Sequence, residues 1–270
     1  MTRLCQLFKV SKSGYYAWRK RPLSNRRQYD LKLIEAIKGL HKGFRRAYGA
    51  KRLHHELKQQ GLSCSRRRVG RLMKEAGIKA SSVGLYAWRP GQHEFYSEAG
   101  NQLSKADKAE RPRQQWAGDY TYIRTANGWL YFAVVIDLFS RKVVGFSFSS
   151  KRNRELTKSA LRMALINHPP QKGCIFHSDQ GIEYAAHEFR ELIEEANMIR
   201  SMSRKGSPLD NAFAESFFHT LKAELVQRKV FKSKVEAVAQ IVSYVEFYNR
   251  DRIHSGINYQ SPVNYEKLCA

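Results

Sequence analysis

The sequence predicts an α/β chain in which an all-α, strongly basic region precedes a mixed sheet with flanking helices. Three observations predict it. Residues 116–148 read as three successive strands, rich in aromatic and β-branched residues and separated by turn residues. From residue 154 onward, helical periodicity alternates with short apolar runs, at 154–167, 174–177, 187–196 and 198–202. The formal charge of +24 is also uneven: residues 1–100 hold 23 Lys+Arg against 6 Asp+Glu, and residues 101–270 hold 25 against 18. A basic first part on a less charged second part predicts a polyanion-binding module joined to something else.

Residues 1–22 read as a short helix followed by a second one. Ser11 or Ser13 is its cap, Tyr15, Tyr16 and Trp18 are packing residues, and Pro22 is its stop. A helix-turn-helix region is expected over 23–80. Its leading helix, 27–40, carries Leu31, Ile34, Ile37 and Lys38 at helical spacing. Residues 48–57 give the next helix and Gly61-Leu62 the turn. The last helix runs from Ser65, a candidate N-cap, to Gly77, with Val69, Leu72 and Met73 facing inward. That helix carries Arg66, Arg67, Arg68, Arg71 and Lys74. A recognition helix points its N-terminal residues at base edges in the major groove, while most Arg and Lys contacts go to phosphate. One or two of the five are expected to read bases and the rest to anchor; the alternative is an ordinary αα-hairpin with a solvated basic face. Residues 81–113, with scattered Gly and Pro, read as an extended linker ending in the basic run Lys105, Lys108, Arg111 and Arg113.

The remaining domain, 114–270, opens with a strand around Asp119. Asn127-Gly128 favours a tight hairpin, residues 129–136 form a fully buried strand, and 143–148 a third. Asp137 closes the second strand and is expected to form the turn and pair with Arg141. The helix over 154–167 turns Leu156, Ala160, Leu161, Ala164 and Leu165 to one side and stops at Pro169-Pro170. A later helix holds Phe213, Phe217, Phe218 and Leu221 as core, with Asp210 as its N-cap. Another spans 235–249.

Three acids stand out. Asp119 lies inside a strand rather than at its end, where an unpaired carboxylate is costly without a cation. Asp179 follows a short apolar strand 60 residues later, and Glu215 comes 36 residues after that on a helix. Carboxylates from a strand, a strand end and a helix supply hard oxygen ligands for Mg2+ or Mn2+. Two such ions roughly 3.5–4 Å apart can clamp the attacking and leaving oxygens of a phosphoryl displacement. His177, Ser178 and Asp179 do not make a nucleophilic triad, because contiguous residues on a strand end cannot converge as one must. The loop with Arg204, Lys205 and Gly206 suits close phosphate approach.

The segments WAGDYTYI, GWLYFAVVIDLFSRKVVG, HSDQGIEY, MSRKGSPLDNAFAESFFHTLKAEL and EFYNRDRIHSGINYQSPVNYE carry a resemblance. The chain resembles the second-frame (OrfB) transposases of bacterial insertion sequences, DDE transposases related to retroviral integrases. The match covers about 104 to 270 and the basic helical region before it, and the 35 residues between Asp179 and Glu215 are the family's spacing. The resemblance implies a ribonuclease H-like fold, with Asp119, Asp179 and Glu215 as the catalytic, metal-binding triad. It implies Mg2+, with Mn2+ as substitute and two ions per site, and contact between Lys222 and the transposon end. It further implies cleavage that frees a 3′-OH, then strand transfer through a circular intermediate. The expected partners are double-stranded DNA (terminal inverted repeats and target), an upstream-frame protein or a frameshift fusion with it, and further copies of the chain in a synaptic complex. Two rivals stay open: a metal-dependent nuclease without strand transfer, and a DNA-binding regulator with a scaffold-only core. The segment 248–254 has no assigned chemistry beyond packing and DNA contact.

Cys5, Cys64, Cys174 and Cys269 form no CxxC pair and no zinc-finger spacing, so they read as reduced thiols. No apolar run approaches the roughly 20 residues of a membrane span, and no signal-peptide core is present. A DNA-associated place in the bacterial cytoplasm is expected, away from any membrane.

Overall fold

The computed structural model describes residues 2–81, 100–203 and 211–269. They fall into two compact units, Met1–Gly43 with Tyr48–Lys79, and Phe44–Ala47 with Ala80–Ala270.

The first unit is all helix: α1 (Thr2–Leu7), α2 (Lys12–Lys20), α3 (Asn25–Gly43), α4 (Ala50–Gln59) and α5 (Arg66–Glu75). Ser11 caps α2 by accepting from the Gly14 N–H. The aromatic residues of α2 do not pack inward as expected: no residue of that helix is buried, and Trp18 is 66% exposed. On α3 the inward stripe is Leu33, Ile34 and Ile37, while Leu31 is exposed. The stripe is phased around Asp30, which is itself buried. Leu53 and Leu57 of α4 and Val69, Leu72 and Met73 of α5 are buried, and the two helices pack on each other. Ser65 accepts from the Arg68 N–H at 3.2 Å, and Gly77 takes the left-handed conformation (φ +66°) that ends such helices.

The second unit is built on five strands: β1 (Gln115–Thr125), β2 (Gly128–Asp137), β3 (Val143–Ser149), β4 (Ile175–Ser178) and β5 (Ile199–Met202). Their order is β3-β2-β1-β4-β5. The first three are antiparallel; β4 runs parallel to β1, and β5 parallel to β4. This is the ribonuclease H-like arrangement that the resemblance implies. The apolar run of β2 serves two cores, which is why it lacks alternation. Phe132, Val134 and Ile136 face α9 (Ala212–Glu224) and α10 (Lys234–Arg250). Ala133 and Val135 face α6 (Arg154–Asn167) and α8 (His187–Glu195). Trp129, expected inside, is exposed. Gly145 lets α6 close on β3: a Cβ there would stand 2.3 Å from the Ala160 carbonyl oxygen. The β1–β2 turn uses Gly128 at φ +96°.

Residues 100–113 lie on this sheet rather than running free as a linker. The Leu103 N–H donates to Ser201 Oγ, the Arg113 N–H to Asp137 Oδ2, and the Gln171 N–H to the Arg113 carbonyl. The segment 248–254 turns out to be a brace. The Asn249 amide donates to the Val143 carbonyl and accepts from the Val143 N–H, both at 2.9 Å, beside the bulge where β3 slips register against β2. The Arg252 guanidinium donates to buried Glu224 at 2.7 Å, and the Tyr244 hydroxyl donates to the same carboxylate. The last helix, α11 (Pro262–Leu268), supplies Glu266, paired with Lys142. All four cysteines are free thiols, and no helix among the described residues is long and apolar enough to cross a membrane.

Candidate active site

Two of the three acids are placed by strand register. β1 and β4 pair only at Gln115, Trp116 and Ala117, opposite Ile175, Phe176 and His177. Beyond that last pair the strands part, and Asp119 and Asp179 stand at the same offset past it. Adjacent strands lie about 4.8 Å apart where they pair, and past that point the charge of Asp179 still reaches Asp119. The crevice where parallel strands end is also where open α/β sheets bind ligands. Gly118 permits this convergence, since a Cβ on it would meet Phe176 at 2.5 Å. Its carbonyl accepts from buried Asn211 Nδ2 at 3.4 Å, at the N-terminal end of α9.

Asp179 is oriented by its own loop. Its Oδ1 accepts from the Gly181 N–H at 2.9 Å, and a Cβ on Gly181 would crowd that oxygen at 2.8 Å. Gln180 ties the loop to β5 through the Ser203 carbonyl. His177 is buried between the hydroxyls of Ser201 and Ser203, bracing β4 on β5. Behind the loop, Glu183 of α7 (Ile182–Ala185) is buried and paired with Arg152, which also lies over the Tyr120 ring.

Glu215 occupies the first turn of α9. Burial pushes the Asp119 carboxyl well above the usual range, the charge of Asp179 raises it further, and Glu215 adds to this; the Tyr120 N–H and Lys222 oppose the rise. Glu215 is also raised, by burial and then by Asp179. The three acids therefore feel one another's charge. Lys222, two turns beyond Glu215, is not a solvent-facing lysine. Burial lowers its pKa against the pull of Asp119, and its ammonium lies 5.8 Å from the Tyr122 ring centre. Among the described residues no group of three or more His, Cys, Asp and Glu is already close enough to hold a metal ion. The donor chemistry fits a hard cation, three carboxylate groups of which Asp119 and Glu215 are held above their ordinary pKa, but the side chains must draw together to enclose one.

Asp137 is structural. Its oxygens accept from the N–H groups of Arg113, Phe139 and Ser140, from the Ser140 hydroxyl and from the Trp116 indole. The expected pairing with the Arg141 side chain is not made; that guanidinium stacks 3.7 Å from the centre of Phe213, itself exposed rather than core. The five cations of α5 divide. Arg68 and Arg71 donate to the buried Asp30 at 2.7 Å each, whereas Arg66, Arg67 and Lys74 are exposed. Arg204, Lys205 and Asp210 lie outside the described residues. Sequence reasoning placed Asn211 near Glu215 on its helix but passed over Arg152 and Glu183. A signal was present, a Glu inside HSDQGIEY, but a partner 31 residues distant carries no local pattern.

Comparison with known proteins places the chain. An integrase core domain is matched over residues 109–208 and again over 197–262, and an HTH-like domain over 28–84. The transposase for insertion sequence element IS904 of Lactococcus lactis subsp. lactis (strain IL1403) is 39% identical over 241 residues, covering 87% of this chain and 92% of that one. Transposase InsF for insertion sequence IS3A of Escherichia coli (strain K12) is 35% identical over 266 residues, covering 97% and 92%. A structure of the HTLV-2 integrase catalytic core domain in complex with magnesium aligns with 58% of this chain and 97% of that chain, at 17% identity and a TM-score of 0.42. With 35–39% identity to such enzymes over most of its length, the chain belongs to the insertion-sequence transposases, polynucleotidyl transferases built on an integrase core.

Proposed function

We propose that Asp119, Asp179 and Glu215 are the catalytic and metal-binding acids of this transposase, acting at the ends of its insertion sequence. The observation that carries the reading is the pairing of register with electrostatics: equal offset of two acids past the last β1–β4 pair, and a third whose charge reaches Asp119. Bound Mg2+ or Mn2+, two ions per site, would supply the positive charge that a phosphodiester displacement needs at its attacking and leaving oxygens. The protein's part is to hold the three carboxylates around that place. The Asp179–Gly181 turn fixes one oxygen, the Gly118–Asn211 bond ties the β1 acid to the start of α9, and Lys222 balances charge beside Asp119. Water serves first as nucleophile, freeing a 3′-OH at the element's end; that hydroxyl then attacks a second phosphodiester.

The region 23–80 is assigned to DNA binding and 114–270 to catalysis, with residues 81–113 between them. Within α5, the exposed Arg66, Arg67 and Lys74 are assigned to the duplex, and Arg68 and Arg71 to holding Asp30. Arg204, Lys205 and Lys222 are assigned to the DNA end. Both ends of the element must meet, so the working form is a multimer acting on DNA in the bacterial cytoplasm, together with the upstream-frame product.

The test supplies pre-cleaved ends and target DNA with Mg2+ or Mn2+, and compares the chain with Asp119→Asn, Asp179→Asn and Glu215→Gln. Joined product is expected from the unaltered chain. Each variant should lose at least about 10²–10³ in rate, the scale on which a preorganised charge acts, while still binding DNA. Cut but unjoined product would favour the nuclease. Undiminished joining by the Glu215 variant would remove the triad.

A further inference from the structure

The open edge of β1 carries more than Asp119. Beyond Ala117 that strand has no β4 partner, and its exposed face shows two large aromatics at the hairpin with β2. Tyr122 is 59% and Trp129 44% exposed, and their rings meet edge to face at 5.2 Å. Each has a cation above it: the Arg124 guanidinium 5.8 Å from the Trp129 ring centre, and the Lys222 ammonium 5.8 Å from that of Tyr122. Lys222 is also the cation whose charge reaches Asp119. The aromatic pair and the acid site therefore share a residue.

Cross-strand aromatics often do no more than stabilise a hairpin. This hairpin is already held from elsewhere. Thr125 Oγ1 donates to the Gly128 carbonyl at 2.7 Å, the Ala126 N–H donates to the Phe231 carbonyl at 2.9 Å, and Ile123 and Leu130 are buried in the core beneath. Exposed rings flanked by cations suit a base stacked between phosphates, because every base offers a π-face and Arg adds a cation–π contact. Tyr122 lies three residues from Asp119, about 10 Å along a strand and on its other face, and Lys222 at the open edge is the group that reaches both. That separation is the length of some three nucleotides stacked at ~3.4 Å.

We propose that Tyr122 and Trp129 form a stacking platform for unpaired bases at the terminus of the DNA end, with Arg124 and Lys222 on the adjoining phosphates. The proposal rests on the assignment of the acid site, since it places the platform on the path of the strand that reaches Asp119. A neutral protein partner would have no use for the two cations.

The test measures binding, not joining. The full chain is titrated with a duplex bearing a short 3′ single-stranded tail whose last base is 2-aminopurine, and with the same duplex blunt-ended. The unaltered chain and Trp129→Phe should change the base's fluorescence and prefer the tailed duplex. Trp129→Ala and Tyr122→Ala should lose that preference by roughly tenfold, the scale of one stacking contact, with blunt-end affinity unchanged. Glu215→Gln should behave as the unaltered chain in this assay, so failure of the acid assignment would show in joining and failure of the platform in fluorescence. Two outcomes would overturn the proposal. One is equal tail preference in both alanine variants with only a lowered melting midpoint, the mark of a hairpin brace. The other is self-association that those variants abolish while tail binding stays intact, the mark of a protein-binding face.

Discussion

Helix α9 carries two glutamates, nine residues apart, that the fold treats in opposite ways. Glu224 is buried, and so is the guanidinium that answers it: Arg252 donates through Nε and Nη2, and the Tyr244 hydroxyl adds a further bond. Glu215, at the other end, has no ion pair among the described residues, and the charge that raises its pKa beyond the effect of burial is that of another acid, Asp179. The same contrast separates Asp30, clasped by Arg68 and Arg71, from Asp119, whose burial is aggravated by two carboxylates and relieved only in part by the Tyr120 N–H and Lys222. An acid matched inside the chain is architecture. Acids gathered with too little counter-charge leave room for a cation from outside.

The largest effect should come from breaking the matched pair. Glu224→Ala leaves Arg252 buried and unpaired, and is expected to cost about 3–5 kcal/mol of stability, read as a fall in denaturation midpoint of the second unit. Little change would mean that Glu224 is not the brace its geometry suggests.

Next comes Asp30. Hydrogen bonding to Arg71, then to Arg68, holds its carboxyl below the usual range. Its contribution is therefore present above the ordinary carboxylate pKa and is lost as pH falls through the lowered value. Asp30→Asn should lower the melting midpoint near neutral pH by a few degrees, less than Glu224→Ala because Arg71 is half-exposed and screened. The deficit should shrink in acid. DNA affinity should fall with it, since Arg68 and Arg71 lose their anchor; a variant that melted early in acid as well would point to lost packing instead.

The smallest and most diagnostic effect has the opposite sign. Asp119 and Glu215 are raised above their ordinary values, so the ion-free fold is favoured at low pH and loses that advantage as pH rises through the raised values. Asp119→Asn should therefore raise the ion-free melting midpoint near neutral pH, at about 2–4 °C per kcal/mol relieved. It should also blunt the stabilisation that added Mg2+ gives the unaltered chain. Thermal melts with and without a chelator, at neutral and mildly acid pH, check both. A fall in the ion-free midpoint would put Asp119 among the matched acids and end the comparison.

These contrasts were unevenly legible in the sequence. Local chemistry could be read directly: Ser65 as a cap, Gly77 as a stop, the helix over Arg154–Asn167, and three acids at a characteristic spacing. What could not be read was which charges meet. Arg68 and Arg71 look like Arg66 and Arg67 along the helix, and only the packing of α5 on α3 sets two of them on Asp30. Periodicity alone misphased α3, because the buried stripe runs through a charged residue and leaves Leu31 outside. Residues 100–113 have no period of their own and are ordered by hydrogen bonds to Ser201 and Asp137 that lie far away in the chain.

The Asn249 amide has a consequence for assembly. β3 is an outer strand of the sheet, and outer strands invite a neighbouring chain to continue the ladder. At Val143 the side chain of Asn249 already satisfies the N–H and the carbonyl together, next to a bulge that spoils the spacing a visitor would need. A second copy in the proposed multimer would therefore find the Val143 end of this margin already occupied, and strand-to-strand annealing hindered there.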